Sequence, residues 1–159
     1  MKYAFMLLLM AVTFNVCGQS KSITRFRSDF KETSNLFFYS STLKMLNTEN
    51  SQELADIFND IEEIRVLNYS KTSIGLSKAN IAALKKSLAD EEYRVIMMIN
   101  EKGNVVNLYN REKRGKTIGF VAVIENQEGL VLIDLIGSID VKKFMALKEK
   151  IDLRIGNAT

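Results

Sequence analysis

Between Tyr93 and Ile139 apolar runs alternate with short polar breaks, and the spacing predicts four consecutive β-strands. The runs are Tyr93–Asn100, Asn104–Asn110, Thr117–Glu125 and Leu130–Gly137. They are separated by Glu101-Lys102-Gly103-Asn104, by Arg111-Glu112-Lys113-Arg114-Gly115-Lys116 and by Asn126-Gln127-Glu128-Gly129. Connections this short join antiparallel neighbours, so the pattern reads as a meander. In Phe120–Ile124 and Leu130–Ile136 both odd and even positions are apolar, broken only by Asp134. A half-exposed strand would alternate, so these two strands are expected to be central, with both faces covered. The second strand, Asn104–Asn110, is more polar and suits an edge.

Upstream the period changes to that of helices. Ile23, Phe26 and Phe30 mark an amphipathic helix within Ser20–Lys31. Leu36–Tyr39 reads as a short strand, and Ser40–Leu46 as a helical turn with a hydroxyl-rich entry. Asn50-Ser51-Gln52-Glu53 has the form of a capping box with Asn50 as the cap. Leu54, Ile57, Phe58 and Ile61 continue it as one apolar stripe, leading into a strand over Glu63–Tyr69. Ser70–Leu76 reads as a loop. Ser77 can cap a helix running to about Glu91, with Ile81, Leu84 and Leu88 facing inward. After the meander, Asp140 is a good N-cap, with Ile139 and Phe144 placed as a hydrophobic staple. Val141, Phe144, Met145 and Ile151 form the stripe of a last helix. Helices segregated from an antiparallel meander predict a single α+β domain, with helices not confined to one side of the sheet.

The first residues fall outside that domain. Met1-Lys2-Tyr3 is a short positive segment, and Ala4–Phe14 is apolar but too short to span a bilayer. This reads as a secretory signal over residues 1–18, leaving 19–159 as the domain. The competing reading makes Cys17 a lipidated cysteine, although Phe14-Asn15-Val16 is a poor lipobox. The expected location is therefore the periplasm or the exterior, with an outer-membrane lipoprotein as the alternative. No transmembrane span is expected in the mature chain.

Composition narrows the chemistry. The 159 residues include no histidine, tryptophan or proline and one cysteine. Without histidine the chain lacks the commonest general base near neutral pH and the commonest metal ligand. One cysteine can form neither an internal disulfide nor a closed zinc site. No phosphate-binding glycine loop is present. The 22 basic residues against 19 acidic ones leave a net +3, with no footprint of a nucleic-acid binder. No cofactor, no metal and no catalytic constellation are expected.

Two features stand out from the apolar pattern. Arg111, Lys113, Arg114 and Lys116 crowd one hairpin loop, which could hold an anionic lipid, a glycan or an acidic partner; a solvated tip is the plainer explanation. Asp134 is the one ionisable residue inside an apolar strand. It is expected at a bulge or paired with a nearby Lys or Arg, the alternative being a catalytic acid with a raised pKa. Met97 and Met98 read as core filling. Ser40-Ser41-Thr42 has no activating partner at a defined spacing and reads as turn chemistry.

Three blocks also resemble a known family. Phe38-Tyr39-Ser40-Ser41-Thr42-Leu43-Lys44-Met45-Leu46-Asn47, Asp60-Ile61-Glu62-Glu63-Ile64-Arg65-Val66-Leu67 and Asp134-Leu135-Ile136-Gly137-Ser138-Ile139-Asp140 are similar, in order and spacing, to blocks of the domain-of-unknown-function family numbered 4252. The resemblance covers roughly Lys21 to Ile151. It implies a short exported bacterial α+β domain with no assigned activity. Some members look like lipoproteins, and an association of members with extracytoplasmic-function sigma factors points to envelope signalling.

Three functions are compatible with these readings. The first is a non-catalytic, envelope-associated binding module acting through its sheet edge or the Arg111–Lys116 loop, with a protein, glycan or lipid as partner. The second is an accessory regulator of a membrane signalling system. The third is a hydrolase using Asp134 and a loop carboxylate.

Overall fold

The computed structural model describes residues 19–48, 50–72 and 75–138. The expected signal segment, Cys17 and the last helix with Asp140, Val141, Phe144, Met145 and Ile151 lie outside the described residues.

The described chain runs α1 (Lys21–Asp29), β1 (Ser34–Tyr39), α2 (Ser40–Met45), α3 (Gln52–Asn59), β2 (Ile61–Ser70), α4 (Lys78–Asp90), β3 (Tyr93–Glu101), β4 (Asn104–Lys113), β5 (Lys116–Glu125) and β6 (Gly129–Gly137). Every strand pair is antiparallel, in the order β1-β2-β6-β5-β4-β3. The four-strand meander is therefore present. The β1–β2 pair adds to its far side, with β2 lying along β6. This is a single α+β sheet domain.

The period of two sorts the central strands onto two cores. Leu67, Tyr69, Val121, Val123, Leu130 and Leu132 face one way, where Ile23 and Phe26 of α1 and Ile81, Leu84 and Leu88 of α4 cover them. Leu108, Phe120, Ala122 and Leu135 face the other way, beneath Leu43 of α2 and Leu54, Ile57 and Phe58 of α3. Helices thus occupy both faces, and β5 and β6 are central, as their apolar runs, broken only at Asp134, predict.

Serine oxygens start three of the helices. Ser20 accepts from the Ile23 N–H at 3.1 Å, Ser51 from Leu54 and Ser77 from Asn80, whose side chain returns the capping box. Asn50 is not the cap of α3. It sits at φ 51°, one residue too early, and Ser51 takes the role. Glu91, just past α4, accepts from the Lys21 and Ser22 N–H groups and from the Ser22 hydroxyl. Its negative charge lies where the dipole of α1 favours it.

Two expectations about the sheet are corrected. The polar strand Asn104–Asn110 is not an edge: as β4 it lies between β3 and β5, and its Asn107 and Asn110 are buried. The edge is β3, whose Met98 is 66% exposed rather than core filling, while Met97 is half-buried. Lateral position depends on which strands find each other, and the polarity of one strand does not report it.

Candidate functional site

Strand geometry builds a buried ionic cluster on the face covered by α1 and α4. Alternation along β2 puts Glu63 and Arg65 on the same side as Leu67 and Tyr69, and the β2–β6 register sets Arg65 opposite Asp134. Arg65 is 6% exposed and Asp134 1%. Arg65 donates through Nε and Nη2 to the two carboxylate oxygens of Glu63, each at 3.1 Å. Its Nη1 lies 3.8 Å from Asp134 Oδ2, an ion pair without a hydrogen bond. Neither Asp134 oxygen has a hydrogen-bond partner, and neither does the buried Tyr93 hydroxyl.

One arginine between two carboxylates leaves excess negative charge in a dry place. Burial dominates and pushes the Asp134 carboxyl up to about 7; Arg65 opposes the shift, and the charges of Glu63 and Glu91 add to it. Burial also raises the Tyr93 hydroxyl, helped by Asp134 and opposed by Arg111. Asp134 thus pairs with an arginine, as expected of a charge in an apolar strand. Its raised pKa is the property the alternative reading required, but it has no surface to offer a substrate.

A shallow cleft of about 210 Å³ lies elsewhere, lined by Glu92, Arg94, Asn110, Glu112 and Gly115 and not by Asp134. Asn110 Nδ2 donates to Glu112 Oε1 across 3.0 Å within it. Among the described residues no three His, Cys, Asp or Glu side chains are placed to hold a metal ion.

The basic hairpin is tighter than expected. The loop read as Arg111–Lys116 is mostly strand, and only Arg114 and Gly115 turn the chain, at φ 53° and 74°. Two positive φ values in succession match the right-handed twist of the flanking strands. Lys113 pairs with Lys116 in register, so Lys113, Arg114 and Lys116 share the tip. Arg111 does not join them. It is half-buried, with its guanidinium 5.7 Å from the centroid of the Tyr93 ring.

The feature sequence reasoning missed is the outer edge of β3. Val95 is 50% exposed, Ile96 38%, Met98 66% and Ile99 37%, on a strand whose outer side faces no other strand among the described residues. No charge and no proline interrupt Val95–Asn100. The absence of the residues that normally guard an edge was visible in the sequence, but it becomes a signal only once the strand is known to be outermost. A second apolar surface, Leu36, Tyr39, Met45 and Leu46, lies at the opposite edge on β1 and the end of α2.

A family model described as Domain of unknown function (DUF4252) matches residues 26–147. Comparison with curated proteins and with solved structures returns no match.

Proposed function

This chain belongs to the DUF4252 family of unknown function, and we propose that it works as an exported, non-catalytic interaction module whose binding element is the outer edge of β3. One observation carries the reading: among the described residues β3 has no strand on its outer side, and it presents four large apolar side chains with no charge among them. Such an edge offers a row of unmet N–H and C=O groups that an added strand satisfies, while the exposed side chains supply the apolar contact. The apolar segment Ala4–Phe14 after Lys2 supports export. A role beside a membrane signalling system would use the same surface.

The test is affinity capture of the tagged full-length protein from gently solubilised envelopes, comparing the wild type with Met98→Lys. Ala82→Lys, on an exposed position of α4, serves as the control. Bound proteins that disappear with Met98→Lys and persist with Ala82→Lys support the reading. An unchanged set with Met98→Lys overturns it.

A further inference from the structure

We propose that the partner at this edge is a second copy of the chain, joined β3 to β3 in antiparallel fashion about a two-fold axis at Met98. The inference rests on the edge reading above and adds the identity and register of the partner.

The outward groups follow from the hairpin. Lys102 and Gly103 turn the chain at φ 50° and 82°, the two-residue turn in which Glu101 and Asn104 exchange both backbone hydrogen bonds. Alternate residues going back, Ile99 and Met97, then bond to β4, and Met98 and Asn100 turn their N–H and C=O outward.

A bulge makes this edge self-complementary. The register shifts between Val95 and Met97, leaving Ile96 as the extra residue. In a regular strand the odd spacing between Arg94 and Glu101 would put them on opposite faces. With the bulge they share a face, together with Met97 and Ile99. A two-fold axis perpendicular to the sheet can only pair residues on the same face. Placed at Met98, with Val95 and Ile96 counted as one position, it sets Arg94 against Glu101 at both ends. Val95 then faces Asn100, Met97 faces Ile99, and Met98 meets its own copy in a hydrogen-bonded pair. Both charges at the ends of the apolar run are matched, and the exposed Val95, Met98 and Ile99 each gain a cross-strand neighbour. Glu101 is free to exchange its present neighbour, since its contact with Lys102 is 3.8 Å long and both side chains are largely exposed. The result is one continuous sheet across two molecules. An edge contact of this size belongs with small, reversible interfaces, so dimerisation depends on concentration.

Sedimentation velocity over a concentration series of the full-length protein tests the proposal. The wild type is expected to move from monomer to dimer. Arg94→Glu and Glu101→Arg should each weaken the dimer roughly tenfold, because two cross-strand pairs turn from attractive to repulsive. An equimolar mixture of the two variants should restore it, since opposite charges then meet at both ends. A wild type that stays monomeric throughout, or a dimer indifferent to both reversals, overturns self-pairing. Amide exchange of Val95–Asn100 separates this failure from that of the underlying reading. A monomer whose β3 amides become protected by the captured envelope proteins keeps the edge and removes the second copy; a monomer whose β3 amides nothing protects removes both.

Discussion

Asp134 and Arg65 face each other across β2 and β6, and their charges give the protein a pH dependence of known sign. The Asp134 carboxyl titrates at 3.8 when unfolded and at about 7 when folded, so folding favours its protonated form. The associated stability is full below about pH 4 and is lost as pH rises to about 7. Its upper bound is about 4 kcal/mol, from roughly 1.4 kcal/mol for each unit between the two values. Asp134→Asn keeps the shape and removes the charge. Thermal melts of this variant should show a flatter pH profile between 4 and 7 and a higher Tm than the wild type at pH 8. Arg65→Met removes the cation that two carboxylates share. It should cost about 3 kcal/mol at pH 8 and less at pH 5, where Asp134 already carries its proton; denaturant titration at the two pH values reads the difference. Sequence alone exposed one of the three charges in this cluster. Asp134 stood out because its strand is apolar on both sides, whereas Arg65 and Glu63 lie in a strand mixed enough to hide them.

Among the elements, the meander and most of the helices follow from period and capping. Ser77 and the Ile81, Leu84 and Leu88 stripe specify α4, and Gly103 and Gly115 sit in the tight turns of their hairpins. Two local expectations are corrected by the tertiary structure. Asn50 and Ser51 are both good caps, and only the docking of Leu54, Ile57 and Phe58 on the sheet decides which residue the helix starts after. The hairpin at Arg114 looked like a six-residue loop because its strands carry charge, yet backbone pairing continues through Lys113 and Lys116. Since Arg111 lies over Tyr93, the tip holds three of the four expected cations. If binding belongs to β3, the triple reversal Lys113→Glu, Arg114→Glu and Lys116→Glu leaves the captured partners unchanged. Loss of those partners, or retention on anionic vesicles that the triple variant abolishes, would move the binding surface to the hairpin.

For the whole molecule, the α+β class, the antiparallel meander and the double coverage of β5 and β6 were determined by the sequence itself. Each rests on short-range information: the period of apolar positions, the length of a turn, and a strand apolar on both sides. So was the prospect that Asp134 would meet a cation, because a lone charge in an apolar strand must be compensated. The tertiary structure alone decided the rest. It set β2 against β6, which brought Arg65 to Asp134 from far along the chain. It placed polar β4 inside and apolar β3 outside, reversing what composition suggested. It put Arg94 and Glu101 on one face through a bulge at Ile96. Strand order and register arise from pairings between distant segments, whose free energy depends on the assembled sheet and its helices rather than on any one strand. The edge on which the proposed function depends is of that kind: β3 was legible as a strand, and it became a surface only through the position it took.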